Sequence, residues 1–169
     1  MARCATVKSD FPPGLITDDA GDFPLPKNAV EAAGLTAPEK AKILRATDEF
    51  QETLRADLEA ILSDLDGSPG NTDSLTISQL VASIRKHSVP QEIGGARKSI
   101  ARARAGLAPL PSPRTPTEKF EQLIANVGNA YEARLADELG SARAAELRAI
   151  NDGWSNHNVS SGRCDEEEN

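Results

Sequence analysis

Oxygen-bearing side chains are concentrated between residues 64 and 73, where they could offer ligands to a metal ion. Three aspartates and one asparagine in this stretch supply the oxygens that Ca²⁺ prefers. In the calcium loop of an EF-hand, position six is glycine and position twelve is a bidentate glutamate. Counted from Asp64, those positions are Pro69 and Leu75, so we expect a capped turn here and no calcium site.

Residues that bind transition metals or act as nucleophiles are few and far apart in the chain. His87 and His157 form no HxxxH pattern and no cluster with cysteine. Cys164 is followed by four acidic residues, and negative neighbours disfavour the thiolate that a cysteine nucleophile needs. Ser161 does not lie in a GxSxG turn. We therefore expect no enzyme activity, no catalytic residues, no metal ligands and no cofactor. A metal-responsive protein that uses carboxylates and His157 is one alternative.

The two cysteines bear on the compartment. Cys4 and Cys164 lie near opposite ends of the chain, and a disulfide bond between them would need an oxidising compartment. Two separate thiols are the alternative. The first ten residues contain no apolar stretch typical of a signal peptide. Two locations are therefore open at this point: an extracytoplasmic protein whose leader has been removed, or a cytoplasmic protein.

Positive charge is concentrated in one part of an acidic chain. The formal net charge is −7, which argues against general binding of nucleic acid. Residues 85–114 hold seven Lys and Arg and one acid, a net charge of +6, so the other residues total −13. The candidate partner contacts are six of these basic residues and the single tryptophan: Arg85, Lys86, Arg97, Lys98, Arg102, Arg104 and Trp154.

The spacing of these residues divides the basic side chains between two faces of a helix. Arg97 and Arg104 are seven residues apart and share one face, whereas Lys98 and Arg102, four residues apart, share another. A basic surface with apolar neighbours would attract acidic, amphipathic or unfolded polypeptides. In the alternative interpretation, this helix packs on the acidic helix 37–66 of its own chain or of a second copy. Trp154 would either contact a partner or hold the C-terminal tail against the body.

The candidate partner contacts must be positioned by helices. Apolar residues recur along the chain at gaps of three and four, and no segment alternates between apolar and polar residues with period two. Capping boxes are predicted at Asn28, Thr36 and Ser88. The predicted helices cover a short segment between Asn28 and Gly34, then 37–66, about 75–87, 90–106, Thr115 to Gly140, and 141–150. In the fourth helix the apolar residues are predicted to form one stripe, and Leu107 is the last residue of that stripe.

The composition agrees with this architecture. The chain has 25 Ala and 16 Leu but six aromatic residues, which suits helices packed closely through small side chains. The expected fold is all-α, as an antiparallel helical bundle or a hairpin-like cradle. We expect an irregular proline-rich arm and short helix over 1–34, a helical domain over 35–152 and an irregular tail over 153–169. No run of about 18 apolar residues is present, so no membrane-spanning segment is expected.

Two short motifs open predicted helices. Residues 35–39 read LTxxE and residues 75–79 read LTxxQ. In these motifs the chain resembles the Spy/CpxP-like, LTxxQ-motif periplasmic proteins. The resemblance implies a periplasmic or otherwise extracytoplasmic protein that is small and all-α, often a dimeric cradle, and that acts as a chaperone or an envelope-stress sensor. The expected function is therefore non-catalytic binding of a protein or unfolded polypeptide, with a homodimer as a further partner. A structural adaptor that docks through its N-terminal arm and C-terminal tail is the other alternative.

Overall fold

A computed structural model describes residues 23–67 and 72–150 of the chain. Helices make up most of these residues and none of them forms a β-strand, so the all-α prediction is confirmed. Trp154, His157, Cys4 and Cys164 lie outside the described residues. The helices of the described part are α1 (Lys27–Ala33), α2 (Ala37–Asp66), α3 (Ile77–His87), α4 (Pro90–Arg104), α5 (Pro116–Leu139) and α6 (Ser141–Ile150).

The longest helix, α2, has the bounds that the sequence predicts. The side chain of Thr36 accepts a hydrogen bond from the Glu39 backbone N–H at 3.4 Å, and the Glu39 carboxylate accepts one from the Thr36 N–H at 2.9 Å. This reciprocal capping box, with Pro38 in the first turn, satisfies backbone donors at the helix start. The helix ends at Gly67, whose φ of 64° is the left-handed conformation that favours glycine.

The central pair consists of α2 and α5, which run in opposite directions. Lys42, near the start of α2, donates to the Glu138 carbonyl at 3.0 Å near the end of α5. At the other end, the ammonium of Lys119 lies 3.4 Å from the Asp64 carboxylate. The buried residues between these ends form the main core, which includes Leu54, Leu58, Ile61, Phe120, Ile124, Tyr131 and Leu135.

Tyr131 lies at the centre of this helix pair. Its hydroxyl is 2.8 Å from the Thr47 hydroxyl, and its ring meets the Phe50 ring edge to face at 5.5 Å between centroids. The Thr47 hydroxyl also donates to the Ile43 carbonyl at 2.7 Å. The phenol therefore donates to Thr47, so that both buried hydroxyls are satisfied. Burial raises the pKa of Tyr131 to about 12.

The remaining helices pack around the central pair. The segment that leads into α3 is held beside α2 by Arg55, which donates to the carbonyls of Thr72 and Asp73 at 3.0 and 3.1 Å. On α6, Arg148 pairs with Glu132 of α5. Arg143 of α6 donates to the Ala33 carbonyl at 2.8 Å, which connects α6 to the end of α1.

Two predicted capping boxes are wrong. The first helix begins at Lys27 and follows Pro26, so Asn28 lies inside the helix and caps nothing. Ser88 does not open α4, because its hydroxyl donates to the Ile84 carbonyl at 2.8 Å and closes α3 instead. The N-cap of α4 is Val89, whose N–H donates to the Thr117 hydroxyl at 3.3 Å.

Candidate protein-binding surface

The basic–apolar segment, residues 85–114, comprises the end of α3, the whole of α4 and the connector 105–114. Near the start of α4, the Thr115 hydroxyl donates to the Glu92 carboxylate at 2.8 Å, and near its end Arg104 donates to the Ala125 carbonyl. Thus α4 and α5 run in the same direction. The proline-rich connector carries the chain back from the end of α4 to the start of α5. It lies against α5, where Gln122 donates to the Pro111 carbonyl at 2.9 Å.

One face of α4 uses its cations to hold the helix in place. The guanidinium of Arg97 lies 2.7 Å from the carboxylate of Glu121, which is buried on α5. Arg104 reaches the same helix at Ala125. A buried carboxylate needs a paired cation, so Arg97 has a structural task that the sequence pattern does not reveal. The basic helix therefore packs chiefly on α5, so the prediction that it packs on the acidic helix α2 of its own chain is wrong.

The opposite face of α4 is exposed. Lys98 and Arg102 lie on it, as do Gly94 and Gly95 one turn earlier. This arrangement agrees with the predicted division of the basic side chains between two faces. A Cβ atom added to either glycine would meet no heavy atom within 4 Å from elsewhere in the described structure. The described residues therefore leave the helix backbone bare at this point.

The end of α3 adds two more exposed cations to the segment. Arg85 and Lys86 lie in the last turn of α3 and are exposed. Positive side chains at this position interact favourably with the negative end of the helix dipole. Of the six basic residues that the sequence singles out, Arg97 is thus half-buried in an ion pair, whereas Arg85, Lys86, Lys98, Arg102 and Arg104 are exposed.

A glycine turn ends α4 and is followed by an exposed apolar side chain, that of Leu107. Gly106 has a φ of 69° and donates to the Ala103 carbonyl at 3.0 Å, and the N–H of Leu107 donates to the Arg102 carbonyl at 2.9 Å. This pair of bonds is a Schellman turn, which satisfies the last carbonyls of the helix. The prediction that Leu107 continues the buried stripe is wrong, because the helix has already ended.

Large apolar side chains are exposed chiefly in this segment. Among the described residues, four large hydrophobic residues are exposed, and three of them flank α4: Val89 at 41%, Leu107 at 69% and Leu110 at 48%. The fourth, Leu44 on α2, is 43% exposed. Leu107 and Leu110 follow the basic end of α4, and Val89 follows the basic end of α3. The segment thus combines exposed positive charge with exposed apolar area.

Other kinds of site find little support in the described part of the chain. No three His, Cys, Asp or Glu side chains gather there as a metal-binding group. His87 lies 4.0 Å from the Asp66 carboxylate, and its other ring nitrogen is 2.8 Å from the Ser83 carbonyl oxygen. None of the described helices combines the length and apolar character needed to span a bilayer.

The LTxxQ and LTxxE motifs act locally as helix starts. Thr76 accepts from the Gln79 backbone N–H at 3.2 Å, and the Gln79 side chain accepts from the Thr76 N–H at 2.9 Å. The equivalent pair at Thr36 and Glu39 caps α2. Comparison with known proteins adds no relative, since no family model, curated protein or solved structure matches the chain.

Proposed function

We propose that this protein is a non-catalytic, chaperone-like binding protein of an extracytoplasmic compartment. In this proposal it holds acidic or unfolded polypeptides on the basic–apolar segment. The observation that carries the proposal is the position of the exposed hydrophobic residues. Three of the four found among the described residues, Val89, Leu107 and Leu110, lie in the one segment with a large net positive charge. The resemblance of the LT motifs to periplasmic chaperones supports the compartment.

The two kinds of side chain would contribute to different stages of binding. Exposed cations such as Lys98 and Arg102 raise the rate at which an acidic polypeptide arrives, and salt screens this effect. An exposed ion pair adds only about 0.2–1 kcal/mol to the stability of the complex. Full burial of one leucine contributes about 1.5–3 kcal/mol. Leu107 and Leu110 would therefore supply most of the binding free energy once contact is made.

Suppression of client aggregation tests this proposal. The client is reduced α-lactalbumin, whose aggregation is followed by light scattering with substoichiometric amounts of this protein. The wild-type protein is expected to suppress scattering, and the L107S/L110S variant is expected to need several-fold more protein for the same effect. The matched control is L44S, which removes a leucine of similar exposure from α2 and is expected to behave like the wild type.

The outcomes separate the proposal from its alternatives. Loss of suppression in L107S/L110S with wild-type behaviour in L44S supports the basic–apolar segment as the binding surface. An equal loss in both variants would refute the segment's special role. A wild-type protein that suppresses nothing would overturn the chaperone proposal and favour the adaptor interpretation.

A further inference from the structure

The connector 105–114 lies between two exposed cations that have no carboxylate partner. Arg102, in the last turn of α4, and Arg114, at the start of α5, are both exposed. Within the described part of the chain, no ion pair engages either guanidinium. Leu107 and Leu110, which lie between them in the chain, are also exposed. The connector therefore presents positive charge at both of its ends and apolar side chains in its middle.

Cations in other parts of the described structure are largely engaged. Ion pairs or hydrogen bonds to another helix hold four of them: Lys42, Arg45, Arg134 and Arg143. Lys27 and Lys40 are exposed but lie apart from each other in the sequence. A negatively charged segment therefore meets its largest group of available cations in the basic–apolar segment.

The chain itself contains such a segment after α6. Residues 151–169 hold five acidic residues and one arginine, a net charge of −4 with His157 neutral. Four of the acidic residues are consecutive, at 165–168, and no other run of four acidic residues occurs in the sequence. We call residues 165–168 the acidic run. Its charge is opposite to that of the basic–apolar segment, so the two attract each other.

The end of α6 and the end of α4 lie at nearly the same level of α5. In the last turn of α6, Arg148 donates to the Asn129 side chain at 2.9 Å. In the last turn of α4, Arg104 donates to the Ala125 carbonyl. Ala125 and Asn129 are four residues apart, which is about 6 Å along the helix axis. The chain therefore leaves α6 at Ile150 close to the level at which α4 ends.

The chain is long enough to bring the acidic run to the connector. Two helices that pack on the same third helix have axes at most about 20 Å apart. Fourteen residues, 151–164, separate α6 from the acidic run. An extended chain spans up to about 3.5 Å per residue, or roughly 50 Å over this length. The acidic run itself spans about 13 Å when extended, and the connector returns along a similar length of α5.

We infer that the acidic run docks on the connector of its own chain, with its carboxylates against Arg102 and Arg114. Each exposed ion pair is weak. Residues 151–164, however, tether the acidic run at an effective concentration of the order of millimolar, which favours the docked state. Because the attraction is between exposed charges, raised salt releases the run.

The docked run also limits access to the surface that is proposed to bind clients. It lies over the approach to Leu107 and Leu110, and it occupies the cations that attract an acidic polypeptide. The acidic run is therefore an internal competitor of the client. This competition rests on the proposed function, whereas the docking itself does not.

Paramagnetic relaxation measured by NMR tests the docking, because Cys164 directly precedes the acidic run. A nitroxide spin label is attached to Cys164 in the C4S variant, whose helicity is compared with that of the wild type by circular dichroism. In low salt, the amide signals of residues 102–114 are expected to broaden several-fold relative to the reduced, diamagnetic label. Salt at roughly 0.5 M is expected to restore them. The substitution D165N/E166Q/E167Q/E168Q, added to this variant, is expected to remove the broadening.

The matched control neutralises four exposed acidic residues of α1 and α2 and makes the same change in net charge: E31Q/D48N/E52Q/D57N. It is expected to keep the broadening. Equal broadening in both neutralised variants, or broadening that is strongest outside residues 102–114, would overturn the inference. Broadening of the same size in a mixture of ¹⁵N-labelled protein without spin label and spin-labelled protein without ¹⁵N would also overturn it, since the run would then dock on a second copy.

Client suppression tests the competition without the C4S substitution. The variant D165N/E166Q/E167Q/E168Q is expected to suppress aggregation of reduced α-lactalbumin at several-fold lower amounts than the wild type, whereas the matched control is expected to need as much as the wild type. Equal amounts for the two variants would refute the competition. If no form of the protein suppresses aggregation, the proposed function fails, and broadening that depends on the acidic run still supports the docking.

Discussion

Replacement of Tyr131 by phenylalanine tests the packing of α2 against α5, on which the position of α4 depends. Tyr131 is the only tyrosine in the chain, so its ionisation can be followed without interference from another phenol. The buried hydroxyl donates to Thr47 at 2.8 Å. Loss of one such hydrogen bond costs about 0.5–1.5 kcal/mol, since the Thr47 hydroxyl keeps its bond to the Ile43 carbonyl.

The pH dependence of stability gives this prediction its magnitude. Burial raises the pKa of Tyr131 from 10.0 to about 12 in the folded protein. The folded state therefore binds the proton more tightly than the unfolded state, which corresponds to roughly 3 kcal/mol of stability. This contribution is fully present below pH 10 and is lost as the pH rises toward 12. The Y131F variant has no phenol to ionise, so its stability does not fall in this pH range. We therefore expect Y131F to be less stable than the wild type at pH 7. Above pH 11 we expect the difference in unfolding free energy between the two proteins to become smaller or to change sign.

The assay is a pH titration of tyrosinate absorbance at 295 nm, with helicity measured in parallel by circular dichroism. In denaturant the midpoint is expected near 10, the ordinary pKa of the phenol. In the native protein the midpoint is expected well above pH 10, and any loss of helicity is expected in the same pH range. A native midpoint near 10 with helicity retained would refute the buried environment of Tyr131 and the packing of α2 on α5.

Two further substitutions separate structural from surface roles. R97M is expected to destabilise the protein by about 2 kcal/mol in urea unfolding, because it leaves the Glu121 carboxylate buried without its cation; R102M is expected to change stability by less than about 0.5 kcal/mol. In low salt R102M is expected to lower the rate of client binding, whereas R97M is expected to leave this rate unchanged. The reverse pattern would contradict the division of α4 into two faces. For Glu39, hydrogen bonds from the Thr36 backbone and the Arg143 side chain lower the pKa to about 2. The wild type should therefore be more stable than E39Q above pH 4.5, and this advantage should disappear as the pH falls toward 2; an advantage independent of pH would contradict the capping carboxylate.

Local capping chemistry explains why some helix ends could be predicted from the sequence. Thr36, Pro38 and Glu39 each favour the same helix start, and the structure shows that start with its reciprocal hydrogen bonds. At Ser88 the same type of pattern fails, because a serine between two helices can close the first or open the second. The Ser88 hydroxyl donates to the carbonyl of Ile84, about one turn earlier in α3. No rule of spacing decides whether such a serine closes the first helix or opens the second.

For the proposed binding surface, the distribution of charge could be predicted from the sequence, but the exposed apolar side chains could not. The seven-residue and four-residue spacings correctly placed Arg97 and Lys98 on different faces of α4. Which of the faces is turned inward depends on Glu121, 24 residues further along the chain, and periodicity within one helix carries no such information. Leu107 fits the apolar stripe by spacing, but the left-handed turn at Gly106 removes it from the helix and leaves it exposed.

Hydrogen exchange measured with and without an unfolded client tests most directly whether the basic–apolar segment is the binding surface. The amides of the connector 105–114 lie outside the helices and should exchange quickly in the free protein. We predict that reduced α-lactalbumin slows exchange in this connector and at the end of α4, and leaves exchange around Leu44 unchanged. Protection that is absent from residues 98–114, or that is equal around Leu44, would contradict the proposed binding surface.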